Sequence, residues 1–296
     1  MQNKNKKLKT GFSLVEITVV LLIVGLIIAA ISSGSRIFAN VKLSAARSIS
    51  KGSVVPSIGD VTLWLDATSD TSFLPDEERD LSKISKWYGV SPFVNYINFN
   101  QDTEANKPEY RRKLINGLPA IYGTASAEMT YSDYKSLTNN ATMFFVINNP
   151  ATRGDRTLFT TTDASDNSKV NFSFAVDNTS STGDGLELCI NDTICKNSAV
   201  NTDPVPLANS IISVIFEEKS SDAGAISFFL NGRAHGLNTG TTTNDEFQFV
   251  EKGNLKLKFN EIAIGEVIIF SKVLNEDRRK AVEAYLAKKW DIIIYH

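Results

Sequence analysis

The chain has 296 residues, a formal charge of −2, 42% hydrophobic residues, two cysteines and two histidines. Its basic residues beyond the first eleven are interspersed with acids and form no stripe, which excludes nucleic acid as an expected partner. The two histidines, His235 and His296, supply neither a histidine metal set nor a Ser/His/Asp arrangement, so no cofactor is expected.

The start is Lys4, Lys6, Lys7 and Lys9, then Gly11-Phe12-Ser13-Leu14-Val15-Glu16, then an apolar run to Ile31 with no further charge. Phe12 to Ile31 is 20 residues, about the length that a bilayer crossing needs. Lysines ahead of such a run stay cytoplasmic, which places the rest of the chain outside an inner membrane. Glu16 is the odd residue, because a carboxylate in a lipid-bound segment costs about 2.5–3.5 kcal/mol at the helix centre and less near the interface. A cut between Gly11 and Phe12 gives it a partner: the new amino group lies four residues from Glu16, on the same helix face. In a bundle of parallel subunits, the amine of one neutralises the glutamate of the next. A secretory signal peptide cut near residues 30–33 is the other reading. The apolar run exceeds the usual core of about 7–15 residues, and Glu16 interrupts it.

These residues closely resemble the amino terminus of the type IV pilin and type II secretion pseudopilin families. The resemblance covers about residues 7–46 and implies a leader at 1–11 removed by a prepilin peptidase after Gly11. It also implies N-methylation of Phe12 and a role for Glu16 in self-assembly with other pilin-like subunits. Gly25 falls where those families often carry a helix-loosening glycine. Ser33 stands where major pilins often have a helix-bending proline, a departure that counts against a major-fibre subunit. Loss of the leader removes four lysines and no acid, taking the formal charge from −2 to −6.

Past the run, Ile37, Phe38, Val41 and Ala45 fall on one face of a continuing amphipathic helix. One transmembrane and assembly helix is expected over 12–49, about 57 Å long at about 1.5 Å per residue. Ser50-Lys51-Gly52-Ser53 and Pro56-Ser57-Ile58-Gly59 break it, giving a linker at 50–60.

From Val61 the pattern becomes short apolar or alternating runs parted by Asn, Asp, Gly, Ser and Thr, the signature of strands and turns. Strands are expected at Val61–Leu65, Leu118–Tyr122, Thr142–Ile147, Thr157–Thr161, Asn171–Val176, Leu186–Ile190, Ser210–Glu217, Ala225–Leu230, Lys256–Phe259 and Glu261–Phe270. With no long helix between them, they argue for a mainly β, antiparallel sandwich over 61–296. Cys189 and Cys195 flank Ile-Asn-Asp-Thr-Ile, which reads as a short hairpin that brings the thiols together in a compartment permitting a disulfide. The chain closes on one helix. Asn275 is its N-cap, Glu276 and Asp277 lie in the first turn and Lys288 and Lys289 in the last, and Val282, Tyr285, Leu286 and Trp290 form a core-facing stripe.

Several segments together resemble the concanavalin A-like lectin/glucanase superfamily in its laminin-G-like branch. They are Leu63-Trp64-Leu65-Asp66-Ala67, Asn116-Gly117-Leu118-Pro119-Ala120-Ile121, Phe229-Leu230-Asn231-Gly232, Gly265–Phe270 and Glu283–Trp290. The resemblance implies a jelly-roll sandwich, with Trp64 and Trp290 helping to close it. Glucanases of that superfamily carry two glutamates on one strand. Glu261 and Glu266 echo this only superficially, because positions five apart on a strand face opposite sides and Ala263 supplies no carboxylate between them. No catalytic residue is therefore expected, and a glycoside hydrolase is the least favoured reading.

The sequence reading is thus a pilin-like or pseudopilin-like subunit, single-pass in the inner membrane, that displays a lectin-like sandwich in the periplasm or on an extracellular filament. The alternative is a minor pilin adhesin whose sandwich binds a glycan or a surface protein, with Tyr88, Phe93, Tyr96, Tyr110, Tyr131 and Tyr134 as candidate platform rings. Calcium is weighed at Asp66 with Asp70 and at Asp163-Ala164-Ser165-Asp166-Asn167, where flexible loops offer oxygen ligands; Asp-rich turns without metal are commoner.

Overall fold

The structure is a computed structural model, and it describes residues 13–91, 97–135, 140–149, 156–163, 170–177, 185–190, 194–197, 208–217, 225–235 and 252–295. The chain divides into two compact units, Met1–Lys42 and Leu43–His296. Helix α1, Leu14–Lys51, is continuous through that division and supplies the last turns of its helix to the second unit.

In the first unit, the apolar side chains from Leu14 to Ile28 are exposed. Among the described residues no helix is long and apolar enough to cross a membrane. The expected bilayer crossing over 12–49 therefore rests on the sequence alone, because the side chains at 29–33 lie outside the described ones.

The second unit is a two-sheet sandwich in which every ladder among the described residues is antiparallel. With strands numbered in chain order, the first sheet runs β14 (Arg233–Ala234), β13 (Ala225–Leu230), β12 (Asn209–Glu217), β7 (Asn140–Asn148), β16 (Ala263–Phe270), β5 (Leu118–Tyr122) and β4 (Glu109–Ile115). Strand β1 (Val61–Asp66) also pairs with β16. The second sheet runs β11 (Ile194–Asn197), β10 (Gly185–Ile190), β9 (Val170–Asp177), β8 (Arg156–Asp163), β15 (Lys252–Lys258), β6 (Glu128–Lys135), β3 (Asn98–Asn100) and β2 (Lys86–Tyr88). All ten expected strands occur, with bounds shifted by a few residues. Glu261 is not in β16 but in the turn before it, at φ 67°.

Alternation along the strands splits the apolar side chains into two cores. Between the sheets lie Leu65, Phe145, Phe159, Phe174 and Val267. On the outer face of the first sheet lie Trp64, Phe144, Ile268 and Phe270, covered by Ala46 of α1, Val55 of the short helix α2 (Val55–Ile58) and the stripe of α3 (Glu276–Trp290). Strand β16 is buried along its whole length because both cores use it. Val282, Tyr285, Leu286 and Trp290 are all buried, and the side chain of Asn275 caps α3 by accepting from the Arg278 N–H at 3.0 Å. Asn231-Gly232 turns the β13–β14 hairpin with φ of 50° and 83°, the pair of left-handed positions that such a turn requires.

Candidate functional site

Gly11 and Phe12, the expected cleavage and methylation positions, lie outside the described residues. Glu16 sits in the first turn of α1, where its Oε2 accepts from the Ser13 N–H at 2.8 Å while Ser13 Oγ accepts from the Val15 N–H at 3.3 Å. The Glu16 bond is the returning half of a capping box, while the Ser13 hydroxyl takes the N–H two residues on in place of the third. The signal, Ser13-x-x-Glu16, stands in the sequence beside the expected pairing of Glu16 with the Phe12 amine. Its carboxylate therefore has a local role as well, and a favourable place at the positive end of the helix.

Among the described residues of the second unit, three buried charged side chains gather where α1, β1, β16 and α3 meet. Asp66 at the end of β1 stands opposite Glu266 of β16 in register. The ladder of β16 with β7 shifts between Ile264 and Glu266, so Gly265 is a bulge, a device that re-aims the next side chain. The edge of β16 changes partner there, from β5 at Ala263 and Ile264 to β1 from Glu266 onward. On α3, Tyr285 and Lys289 are four residues apart and share a face.

All of these groups converge on Glu266. Its Oε1 accepts from Trp64 Nε1 at 2.8 Å and Tyr285 OH at 2.6 Å, and its Oε2 from Trp290 Nε1 and Lys289 Nζ, both at 2.7 Å. Lys289 Nζ also lies 2.7 Å from Asp66 Oδ2. Asp66 Oδ1 accepts from the Thr68 N–H at 2.9 Å and Thr68 Oγ1 at 2.7 Å, while Ser50 Oγ of α1 donates to Oδ2 at 2.9 Å. The side chains of Lys289 and Glu266 are fully buried and that of Asp66 is 1% exposed.

Two carboxylates thus share one ammonium away from water. Burial pushes the Glu266 carboxyl above its ordinary 4.5, Lys289 opposing and Asp66 adding to the effect. Burial acts on Asp66 in the same sense, but Lys289 and then Thr68 outweigh it and hold Asp66 below 3.8. Burial, followed by the charges of Glu266 and Asp66, raises the Tyr285 phenol well above 10.0. Trp64 and Trp290 are both buried, and both indoles also serve as donors to one carboxylate. Sequence reasoning missed the cluster because its members come from positions 50, 64, 66, 266, 285, 289 and 290.

Beside the cluster lies a cleft of about 410 Å³ lined by Arg47, Lys51, Trp64, Asp66 and Asp70 among others. Arg47 Nε donates to the Thr68 carbonyl at 2.7 Å, which ties the end of α1 to this loop. Asp66 is not available to calcium, since Lys289, Ser50 and Thr68 take its oxygens, and residues 164–167 of the other candidate lie outside the described ones. No cluster of metal-binding side chains occurs among the described residues. Of the candidate platform rings, Tyr110 and Tyr134 are core residues, Tyr88 and Tyr131 are half-buried, and Phe93 and Tyr96 lie outside the described residues. Glu261 and Glu266 do not form a pair: Glu261 meets Arg156 at 3.5 Å while Glu266 is buried in the cluster. Cys189 of β10 and Cys195 of β11 are register partners, the arrangement expected of the hairpin.

No protein-family model and no curated protein matches the sequence. Among solved structures, the chain is similar to Trypanosoma rangeli sialidase in complex with sialic acid at 9% identity and a TM-score of 0.44, over 80% of this chain and 34% of that one. It is similar to the botulinum neurotoxin type G receptor binding domain at 12% identity and 0.47, over 78% and 52%. It is also similar to a SAP-like pentraxin from Limulus polyphemus at 13% and 0.39, over 51% and 72%. The chain spans about a third of the sialidase's length. At these identities and TM-scores the likeness is distant, and it carries no argument about family or function.

Proposed function

We propose that the chain is a pilin-like or pseudopilin-like subunit of a type IV pilus or type II secretion filament, with the β-sandwich as its displayed domain. The observation that carries this reading is Gly11-Phe12-Ser13-Leu14-Val15-Glu16 at the head of one helix, α1, of 38 residues. A prepilin peptidase cuts after Gly11, Phe12 becomes N-methylated, and the helix enters the inner membrane with the sandwich outside. Two roles for Glu16 follow in sequence. Before assembly its carboxylate caps its own helix; during assembly it is offered to the Phe12 amine of a neighbour, which removes an uncompensated charge from lipid. The junction of Ser50 and Arg47 with Asp66 and Thr68 ties the helix end to the displayed domain.

The test separates the two roles. Glu16→Gln keeps an acceptor for the capping box and removes the charge, while Glu16→Ala removes both. Incorporation into filaments, measured by shearing and immunoblotting from the native host, is expected to fall in both variants while membrane insertion persists. Wild-type incorporation of Glu16→Gln would contradict the pairing.

A further inference from the structure

We infer that Lys289 and Asp66 form an intramolecular amide bond, with Glu266 as the proton carrier, so that the last helix is covalently joined to the first strand of the sandwich. This goes beyond the filament reading and does not depend on it. The reacting groups are in place: Lys289 Nζ lies 2.7 Å from Asp66 Oδ2 and 2.7 Å from Glu266 Oε2, in a site from which water is excluded. Each surrounding donor has a use in the reaction. Thr68 N–H and Thr68 Oγ1 both point at Asp66 Oδ1, where negative charge develops, and Ser50 Oγ donates to Oδ2, the oxygen that leaves. Trp64, Trp290 and Tyr285 fix the Glu266 carboxylate against the amine.

An ammonium and a carboxylate in a dry interior bear a desolvation cost that a neutral amine and carboxylic acid do not. Lys289 nevertheless holds Asp66 largely ionised, so the reacting form is the minor one in which one proton has moved along the 2.7 Å contact from Lys289 to Asp66, leaving –NH₂ beside –COOH. The Nζ lone pair attacks Asp66 Cγ, the new C–N bond forms, and the carbonyl electron pair moves onto Oδ1. Glu266 takes the surplus proton from Nζ and returns it to Oδ2; the C–Oδ2 bond breaks and one water leaves. Atoms and charge balance with no oxidant, activated donor or cofactor. Two of the three buried charges disappear, and Glu266 keeps its three aromatic-side-chain donors. Held geometry supplies the entropy that a bimolecular amide synthesis lacks, and the released water can leave by the cleft that Asp66 lines.

The bond would bracket nearly all of the second unit, from residue 66 to residue 289. A load between the helical end and the far end of the chain would then pass through the bond rather than through the strands.

The experiment is intact-mass spectrometry of the purified full-length chain, followed by protease digestion and fragmentation. After N-terminal processing and cysteine oxidation are accounted for, the expected mass is low by one water, with a branched peptide joining Asp66 to Lys289. Lys289→Arg keeps the cation but cannot form this amide, and its mass is expected to be full. Glu266→Gln is expected to leave most molecules unlinked. Should that variant not fold, Asp66→Asn gives a second signature, loss of one ammonia in place of one water. A full wild-type mass with linear, unmodified peptides carrying Asp66 and Lys289 overturns the proposal, as does a Glu266→Gln chain that links as completely and as fast as wild type.

Discussion

Gly265→Ala adds one methyl group at the bulge that aims Glu266, and its cost can be worked from the structure. A Cβ at that position meets Trp290 at 2.6 Å from Cη2, 2.8 Å from Cζ3 and 3.0 Å from Cζ2. Carbon atoms at their optimum sit about 3.5–4.0 Å apart, so the ring has to retreat by about 1 Å. It has nowhere to go: Trp290 is fully buried and its Nε1 is held by Glu266 Oε2 at 2.7 Å. Overpacking of this kind costs about 1–3 kcal/mol. If the indole instead gives up its bond to the carboxylate, a charge-assisted hydrogen bond worth about 1.5–3 kcal/mol is lost. For a domain of this size each kcal/mol moves Tm by about 2–4 °C, and urea unfolding followed by tryptophan fluorescence reads the same change. Gly52→Ala is the control, since its nearest neighbour is the Ser48 carbonyl at 3.7 Å, and a shift within about 0.5 kcal/mol is expected. An unchanged midpoint for Gly265→Ala would refute the packing argument for how the cluster is built.

Asn116, in the β4–β5 turn at φ 46°, donates from Nδ2 to the carbonyls of Trp290 and Asp291 and accepts at Oδ1 from Asn209. Asn116→Ala removes these bonds and a residue type tolerant of left-handed backbone, so urea denaturation should show a loss of about 2–4 kcal/mol; a loss under about 0.5 kcal/mol contradicts that role for the side chain. Burial, followed by the Glu78 charge, raises the Tyr110 phenol from 10.0 to about 12. A raised folded pKa means that its stabilising contribution is full below pH 10.0 and disappears as pH rises through about 12. Tyr110→Phe should therefore flatten the alkaline fall in stability over that window, and an identical slope would argue against it. We propose a Cys189–Cys195 bridge on the strength of their register. Thiol titration of the unfolded, unreduced chain should find no thiol, and reduction should cost about 2 kcal/mol for so short a loop; two titratable thiols would remove the bridge.

The strands that were legible are those with strong apolar runs. β7 and β16 are central, buried on both faces, and read as continuous hydrophobic segments. The strands that were not legible have physical reasons. β2 and β3 are three residues each, too short to show a period, and β4 lies at a sheet edge where Arg111-Arg112-Lys113 coincide with a register shift. The cap at Asn275 and the stripe of α3 were readable because both are local patterns. The cluster around Glu266 was not, because a strand glutamate looks the same in sequence whether it faces water or is surrounded by Trp64, Tyr285, Lys289 and Trp290. Glu16 is the converse case: its local capping role is written in Ser13-x-x-Glu16, three residues apart in sequence, whereas its pairing with a neighbour is not a local pattern.

The central claim, a processed pilin-like helix carrying the sandwich, is tested most directly by mass spectrometry of the mature amino terminus in protein from the native host. The account predicts a chain that begins at N-methylated Phe12. A chain that retains Met1, or one that begins near Ser33, would contradict it.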